Sequence, residues 1–276
     1  MPQTINTNVS SLTAQRNLTS SQGSLAMSMQ RISSGLRVNS AKDDSAGLAI
    51  ADRMQAQVRG MNVAVRNAND AISLSQTAEG AIGKVTEMLQ RMRELAVQSA
   101  NATNSQGDRD NLDQEYKEMA AEINRTLEST RFNGLEILSG DSGTLTFQVG
   151  ADTTDTVDIL TNNLATNADV TAVTGATSDI LSVANATTAM DAIDTALDTV
   201  NTERALYGAS QNRFDAIIGT LQVASENQSA ARGRIMDADF ASETANLSRA
   251  QILQQAGTAM VAQANSLPQG VLALLR

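Results

Sequence analysis

The chain has 276 residues, a formal net charge of −10, no His, Cys or Trp, and aromatic residues at only 2%. This composition rules out a disulfide-stapled domain and removes the side chains that most often serve as acid–base catalysts, thiol nucleophiles or transition-metal ligands. The acidic balance also argues against nucleic-acid binding, which draws on a basic face.

Proline occurs only at positions 2 and 268, so the strongest helix breaker is missing from nearly the whole sequence. Met1–Ser10 is polar, without a basic region followed by an apolar run, so no cleaved leader is expected. No apolar stretch approaches the roughly 20 residues that span a bilayer. From Leu18 through Leu25, Met29, Ile32 and Leu36 the apolar steps are those of a coiled-coil seam. Gly35–Ser40 reads as a break, and Asp43, Asp44 and Ser45 offer N-cap oxygens for a second helix.

That second helix is predicted from Ser45 to about Ala100. Its apolar positions are Met54, Val58, Met61, Val65, Ala68 and Ile72, then, after a register shift, Ala78, Ile82, Val85, Leu89, Met92 and Ala96. A helix of about 56 residues is roughly 84 Å long, whereas a 276-residue globule has a radius of gyration of about 19 Å; an elongated architecture is expected. Gly47, Gly60, Gly80 and Gly83 weaken the helix by about 1 kcal/mol each, so packing against partner helices must compensate. After a turn at Asn101–Gly107, a third helix from Asp108 to about Ser129 places Leu112, Tyr116, Met119, Ile123 and Leu127 on one face. An antiparallel hairpin with the second helix follows.

Asn133-Gly134 marks a tight turn. The period then shortens to two through Leu145, Phe147 and Val149, and again at Val157 and Ile159, which predicts a β-hairpin. Residues 160–188 are rich in Thr, Asn, Ala and Asp and receive no assignment. Helix returns near Thr188 with Ile193, Leu197 and Val200, continuing through Phe214, Ile218 and Leu221 to about Arg232. A last helix, Ser242–Ser266, carries Leu253, Met260 and Leu267 at steps of seven, and Pro268 is expected to end it.

Charge is distributed unevenly. Between Arg131 and Arg204 lie 72 residues with eleven acids and no base, while the rest of the chain holds all 20 bases against the other 19 acids. An acidic module is thus set into a near-neutral scaffold. Residues 1–30 hold one charged side chain, Arg16, and residues 250–276 hold one, Arg276. Such amphipathic helices must bury their stripes, either against each other within one molecule or against other copies. The second reading is favoured, because two helices cover only part of each other's circumference. Before assembly these ends are expected to fray. Arg outnumbers Lys 17 to 3, which suits a surface covered by neighbours, although lineage bias gives the same count. The acids Asp152, Asp155 and Asp158 lack the Gly and terminal Glu of a calcium loop. No catalytic, cofactor-binding or metal-binding residue is assigned, and no enzyme activity is expected.

Met1–Leu18 (MPQTINTNVSSLTAQRNL), Ile32–Ile50 (ISSGLRVNSAKDDSAGLAI), Gln90–Gln98 (QRMRELAVQ), Thr130–Gly134 (TRFNG) and Ser248–Arg276 (SRAQILQQAGTAMVAQANSLPQGVLALLR) resemble bacterial flagellin. The likeness covers about 1–150 and 185–276. It implies a mainly α fold: an elongated antiparallel coiled-coil bundle built from both chain ends, with a small β-hairpin region and a short solvent-facing central insert. On that scheme residues 1–44 and 236–276 form the inner coiled-coil layer with its connecting segment. Residues 45–140 and 188–235 form the helical rod, and 141–187 the hairpin and acidic surface segment.

The resemblance implies a secreted, extracellular subunit that self-polymerises into the flagellar filament for swimming motility. It further implies unfolded export through the flagellar type III system, an export chaperone on the C-terminal helices, and filament cap and hook-associated proteins as partners. Neither nucleic acid nor membrane insertion is expected, and no cofactor. Assembly would use Leu18, Leu25, Met29, Ile32, Leu253, Met260, Leu267, Leu272 and Leu275. By the same resemblance a host Toll-like receptor would contact Arg91, Leu95 and Glu115, the first two lying four apart on one helix face. The alternatives are a hook–filament junction protein or another secreted coiled-coil assembly protein; a chemoreceptor-type signalling hairpin would need membrane spans.

Overall fold

In the computed structural model, which describes residues 7–141 and 143–274 and side chains through Ser266, each long helix begins at a short polar side chain. Asn8 Oδ1 accepts the Ser11 N–H at 3.1 Å and opens α1, Val9–Ser34. Asp44 Oδ1 accepts the Gly47 N–H at 2.8 Å at the head of α2, Ser45–Ser99. Ser105 and Asp108 form a reciprocal capping box for α3, Gln106–Ser129. These side chains satisfy backbone donors that have no partner within the helix. Helix α2 follows the predicted bounds to within one residue.

Strands β1, Arg131–Phe132, and β2, Leu135–Glu136, pair antiparallel around Asn133-Gly134. Both turn residues have positive φ, 50° and 86°, the combination a two-residue hairpin of this hand requires and Asn-Gly tolerates best. Strands β3, Thr144–Gln148, and β4, Thr156–Leu160, form the second antiparallel pair, with Phe147 opposite Val157. The alternation along β4 turns Val157 and Ile159 inward, as the period-two pattern predicts.

The segment without a predicted structure contains α4, Ala168–Thr174. It contributes Leu164, Val170, Val173 and Ile180 to the main core, so the central region is partly buried as well as solvent-facing. Helix α5 runs Val183–Met236, starting five residues before Thr188. The Ser182 hydroxyl caps it by accepting the Asn185 N–H at 3.1 Å, and Thr187 and Thr188 donate to the Val183 and Ala184 carbonyls. These local bonds offset the low helix propensity of threonine.

Helix α6 spans Phe240–Leu274 and therefore continues through Pro268, correcting the expected stop. A proline inside a helix removes one backbone hydrogen bond and crowds the preceding turn, at about 3 kcal/mol. The turns on either side keep their bonds, and the helical path persists.

Two units are distinguished, 1–56 with 227–276, and 57–226. In the second, α2 lies between α3 and α5. Arg91 bonds Glu115 and Arg109 bonds the Ser99 carbonyl, which sets α3 antiparallel to α2. Arg93 holds Asp194 through two bonds of 2.7 and 3.0 Å, and Gln211 reaches Glu79 at 2.9 Å, which sets α5 antiparallel as well. Between them Ala78, Ile82, Val85, Leu89, Met92 and Ala96 pack with Tyr116, Ile123, Leu127, Tyr207 and Phe214. Phe147 of β3 meets Phe214 edge-on at 5.8 Å, closing the hairpin onto the helices.

In the first unit, α1 and α6 run side by side. Leu36 leaves the helical seam expected of it. Gly35 closes α1 in the left-handed conformation (φ 72°), so the next residue forms an isolated antiparallel bridge with Asp237. Beneath that bridge Val38, Ala51 and Met236 form a small separate core.

Candidate assembly surface

Helix α1 meets α6 along a narrow antiparallel seam. The covered positions of α1 are Ser11, Ala14, Leu18, Ser21, Leu25, Ser28 and Ile32, and those of α6 are Glu243, Leu247, Ala250, Gln254, Gly257, Val261 and Ala264. Both sets step alternately by three and four, the coiled-coil repeat. Large meets small: the register that puts Leu18 against Gly257 puts Leu25 near Ala250. Polar bonds close the seam at both ends. Asn8 Nδ2 donates to the Ala264 carbonyl and the Ser11 hydroxyl to Asn265 Oδ1, each at 2.7 Å. At the other end Arg31 Nη1 pairs with Glu243 Oε1 at 2.9 Å.

The predicted assembly residues divide accordingly. Leu18, Leu25 and Ile32 lie half-buried in the seam. Met29 lies on its flank, 58% exposed, because Ser28 takes the covered position. Leu253 and Met260 each stand one residue before a seam position and are 50% and 61% exposed. The side chains of Leu267 and Leu272 lie outside the described residues, as does Leu275.

What remains is a second apolar stripe, on α1 and α6 together, that the seam does not cover. Val9, Leu12, Ile252, Leu253 and Met260 are all exposed, and a groove of about 490 Å³ runs between the helices, lined by Val9, Leu18, Leu253, Ala256, Gly257 and Met260. Charges that would normally keep two such surfaces apart in water are almost lacking here. Sequence reasoning found the α1 side of the seam at Leu18, Leu25 and Ile32 but missed the α6 side, since Ala250, Gly257 and Ala264 carry no hydrophobic signal. Their spacing of seven, all small, was the sign available.

At the other predicted site, Arg91 Nε and Nη2 donate to Glu115 Oε1 at 2.9 and 2.7 Å, and Nη1 donates to Glu94 at 2.9 Å. The bond to Glu115, foremost, raises the Arg91 pKa above its ordinary value. Arg91 is exposed on α2 and Glu115 is half-exposed beside it on α3, but Leu95 is fully buried in the core, at 0% exposure. This corrects the expectation that Leu95 shares the Arg91 surface. Four residues span about 400° at 3.6 residues per turn, and that offset carries Leu95 from the rim of the helix onto its packed face. No group of His, Cys, Asp and Glu that could hold a metal ion occurs among the described residues, and no helix among them is long and apolar enough to cross a membrane.

The bacterial flagellin N-terminal helical region matches residues 5–143, and the bacterial flagellin C-terminal helical region matches residues 190–275. The chain belongs to the bacterial flagellin family. A flagellin of Halalkalibacterium halodurans is 45% identical over 272 residues, 99% of each chain. The crystal structure of Bacillus cereus flagellin is similar with a TM-score of 0.51 at 32% identity, covering 60% of this chain and 94% of that one. A structure titled as a flagellar hook-associated protein of Vibrio parahaemolyticus is similar at 16% identity with a TM-score of 0.58, covering 71% of this chain and 100% of that one; this likeness shows the fold alone. As a flagellin, the chain is a structural subunit of the bacterial flagellar filament. The two matched regions hold the seam helices, α1 and α6, and leave out residues 144–189, where the acidic hairpin segment and α4 lie.

Proposed function

We propose that the uncovered apolar stripe on α1 and α6 is the face through which copies of this flagellin polymerise, with Leu18, Leu25 and Ile32 holding the seam and Met29, Leu253 and Met260 meeting neighbouring copies. Leu267, Leu272 and Leu275 are assigned to assembly by the family resemblance alone. Segments 1–44 and 236–276 then form the inner layer of the filament, 45–140 and 188–235 the rod around it, and 141–187 the hairpin and surface segment. The chain works by assembly and has no enzymatic activity. It is exported unfolded by the flagellar type III system, with a chaperone over the C-terminal helices, and ends outside the cell between hook-associated and cap proteins.

One observation carries this reading: large apolar side chains stay exposed along helices with almost no charge to keep them in solution. Burial of each such side chain from water stabilises by about 1.5–3 kcal/mol, enough when repeated along a polymer to drive association. Electron microscopy of purified chain under polymerising conditions is expected to show tubes. A Leu253→Gln/Met260→Gln variant is expected to stay monomeric, and equal polymerisation of that variant would sink the reading.

Receptor recognition at Arg91 and Glu115 is supported by their joint exposure across α2 and α3. Leu95 contributes to that site from beneath, by fixing the backbone that carries Arg91.

A further inference from the structure

With no cysteine in the chain, methionine carries all of its sulfur chemistry, and the eleven methionines are not spread at random over the surface. Among the described residues the exposed ones are Met27, Met29 and Met260, at 48%, 58% and 61%. All three belong to α1 and α6. Met92 and Met236 are buried, and the other described methionines are half-buried. Met260 also lines the groove beside Leu18 and Leu253. Peroxide reaches an exposed thioether far more readily than a packed one, and the product changes a flexible apolar side chain into a polar one.

We propose that Met27, Met29 and Met260 are a peroxide-sensitive modification site that switches off self-assembly; this rests on the reading of the stripe as the polymerising face. A thioether sulfur gives an electron pair to one oxygen of hydrogen peroxide. The S–O bond forms as the O–O bond breaks, and the departing hydroxide takes up the proton of the transferred oxygen to leave water. Sulfur is oxidised and peroxide reduced. The sulfoxide oxygen is a strong acceptor, and burying it against the apolar stripe of another copy leaves it without a donor. Copies oxidised as monomers therefore fail to add, while copies already packed in a filament are shielded. A thiol-dependent sulfoxide reductase would restore them.

The test treats the full-length monomer with hydrogen peroxide, maps oxygen addition by peptide mass spectrometry, and measures the critical concentration for polymerisation. Oxygen is expected first on Met27, Met29 and Met260, with a rise in critical concentration of about tenfold or more. The M27L/M29L/M260L chain, compared with its own untreated sample, is expected to show no rise. Oxidation of Met92 or Met236 as early as the three, or unchanged polymerisation of the oxidised monomer, overturns the proposal. If the untreated chain never polymerises, the assembly reading fails and the switch with it, while the oxygen map still decides the modification site.

Discussion

Leu18 of α1 and Gly257 of α6 approach so closely that a methyl group at position 257 would lie 3.1 Å from Leu18 Cδ1. The glycine is there for the room it leaves, since nothing in a helix interior otherwise favours it. Gly257→Ala gains about 1 kcal/mol of helix propensity and needs only a small adjustment of Leu18, so near-neutral stability is expected. Gly257→Leu overfills the seam, at about 1–3 kcal/mol. The measurement is the helical signal lost from α1 and α6 on heating, together with the critical concentration. Assembly of Gly257→Leu equal to that of the parent would show that the seam is not tight.

The seam rests on small side chains, whereas α2 is buried along an unbroken row from Ala78 to Ala96. Hydrogen exchange on the isolated monomer is expected to reflect this, with fast exchange in α1 and α6 and slow exchange in α2 from Ile82 to Leu95. Protection of α1 equal to that of α2 would contradict the view that the ends await other copies.

Arg91→Ala is expected to leave stability nearly unchanged, since the pair with Glu115 is solvent-exposed on both sides, yet to weaken receptor activation by purified monomer. Leu95→Ala is expected to cost about 2–5 kcal/mol as a core truncation. Receptor signalling unchanged by Arg91→Ala, at equal monomer concentration, would remove this patch from the account.

Asp113 is buried and accepts the Ile180 N–H at 3.0 Å while pairing with Lys117 Nζ at 2.6 Å. Beside it the Tyr116 hydroxyl meets Ser178 Oγ at 3.0 Å. Together they pin the approach to α5 onto α3. Asp113→Ala strands the buried Ile180 N–H, and a loss of about 1–3 kcal/mol is expected in urea unfolding. A change below about 0.5 kcal/mol would mean that the anchor is dispensable.

The chain has only two tyrosines, Tyr116 and Tyr207, and burial, foremost, raises the pKa of both; the nearby Glu203 charge adds to the effect at Tyr207. A raised phenol contributes stability that is complete below the unfolded value of about 10 and is lost as pH climbs through the folded value. Ultraviolet titration is therefore expected to show less than half of the tyrosine ionised at pH 10 in the native chain and a cooperative appearance of tyrosinate on alkaline unfolding. Tyr207→Phe removes a buried hydroxyl that has no hydrogen-bond partner among the described residues and is expected to leave stability unchanged or to raise it, by up to about 1–3 kcal/mol. Half-ionisation at pH 10 with the helical signal intact would refute the burial of these rings.

The helices were legible because their signals are local. Asp44, Ser105 and Asn133-Gly134 act within a few residues of themselves, and the period-two stretch at 144–160 needs only its own alternation to become a hairpin. Residues 160–182 were not legible, because Asp113 and Ser99, which hold Ile180, stand some 67 and 81 residues away in sequence. Pro268 misled for the opposite reason: its local penalty is genuine but does not outweigh the helix on both sides of it.

By itself the sequence determined that this flagellin is built from long helices with near-chargeless ends, because helix propensity, capping and charge are properties of neighbouring residues. Only the tertiary structure decided which stripe of each end is covered within the molecule. Large side chains at Leu253 and Met260 advertise a seam, but an antiparallel pair in close contact selects the small ones at Ala250, Gly257 and Ala264 opposite Leu25, Leu18 and Ser11. Side-chain volume acquires a meaning there only when the residue across the gap is known.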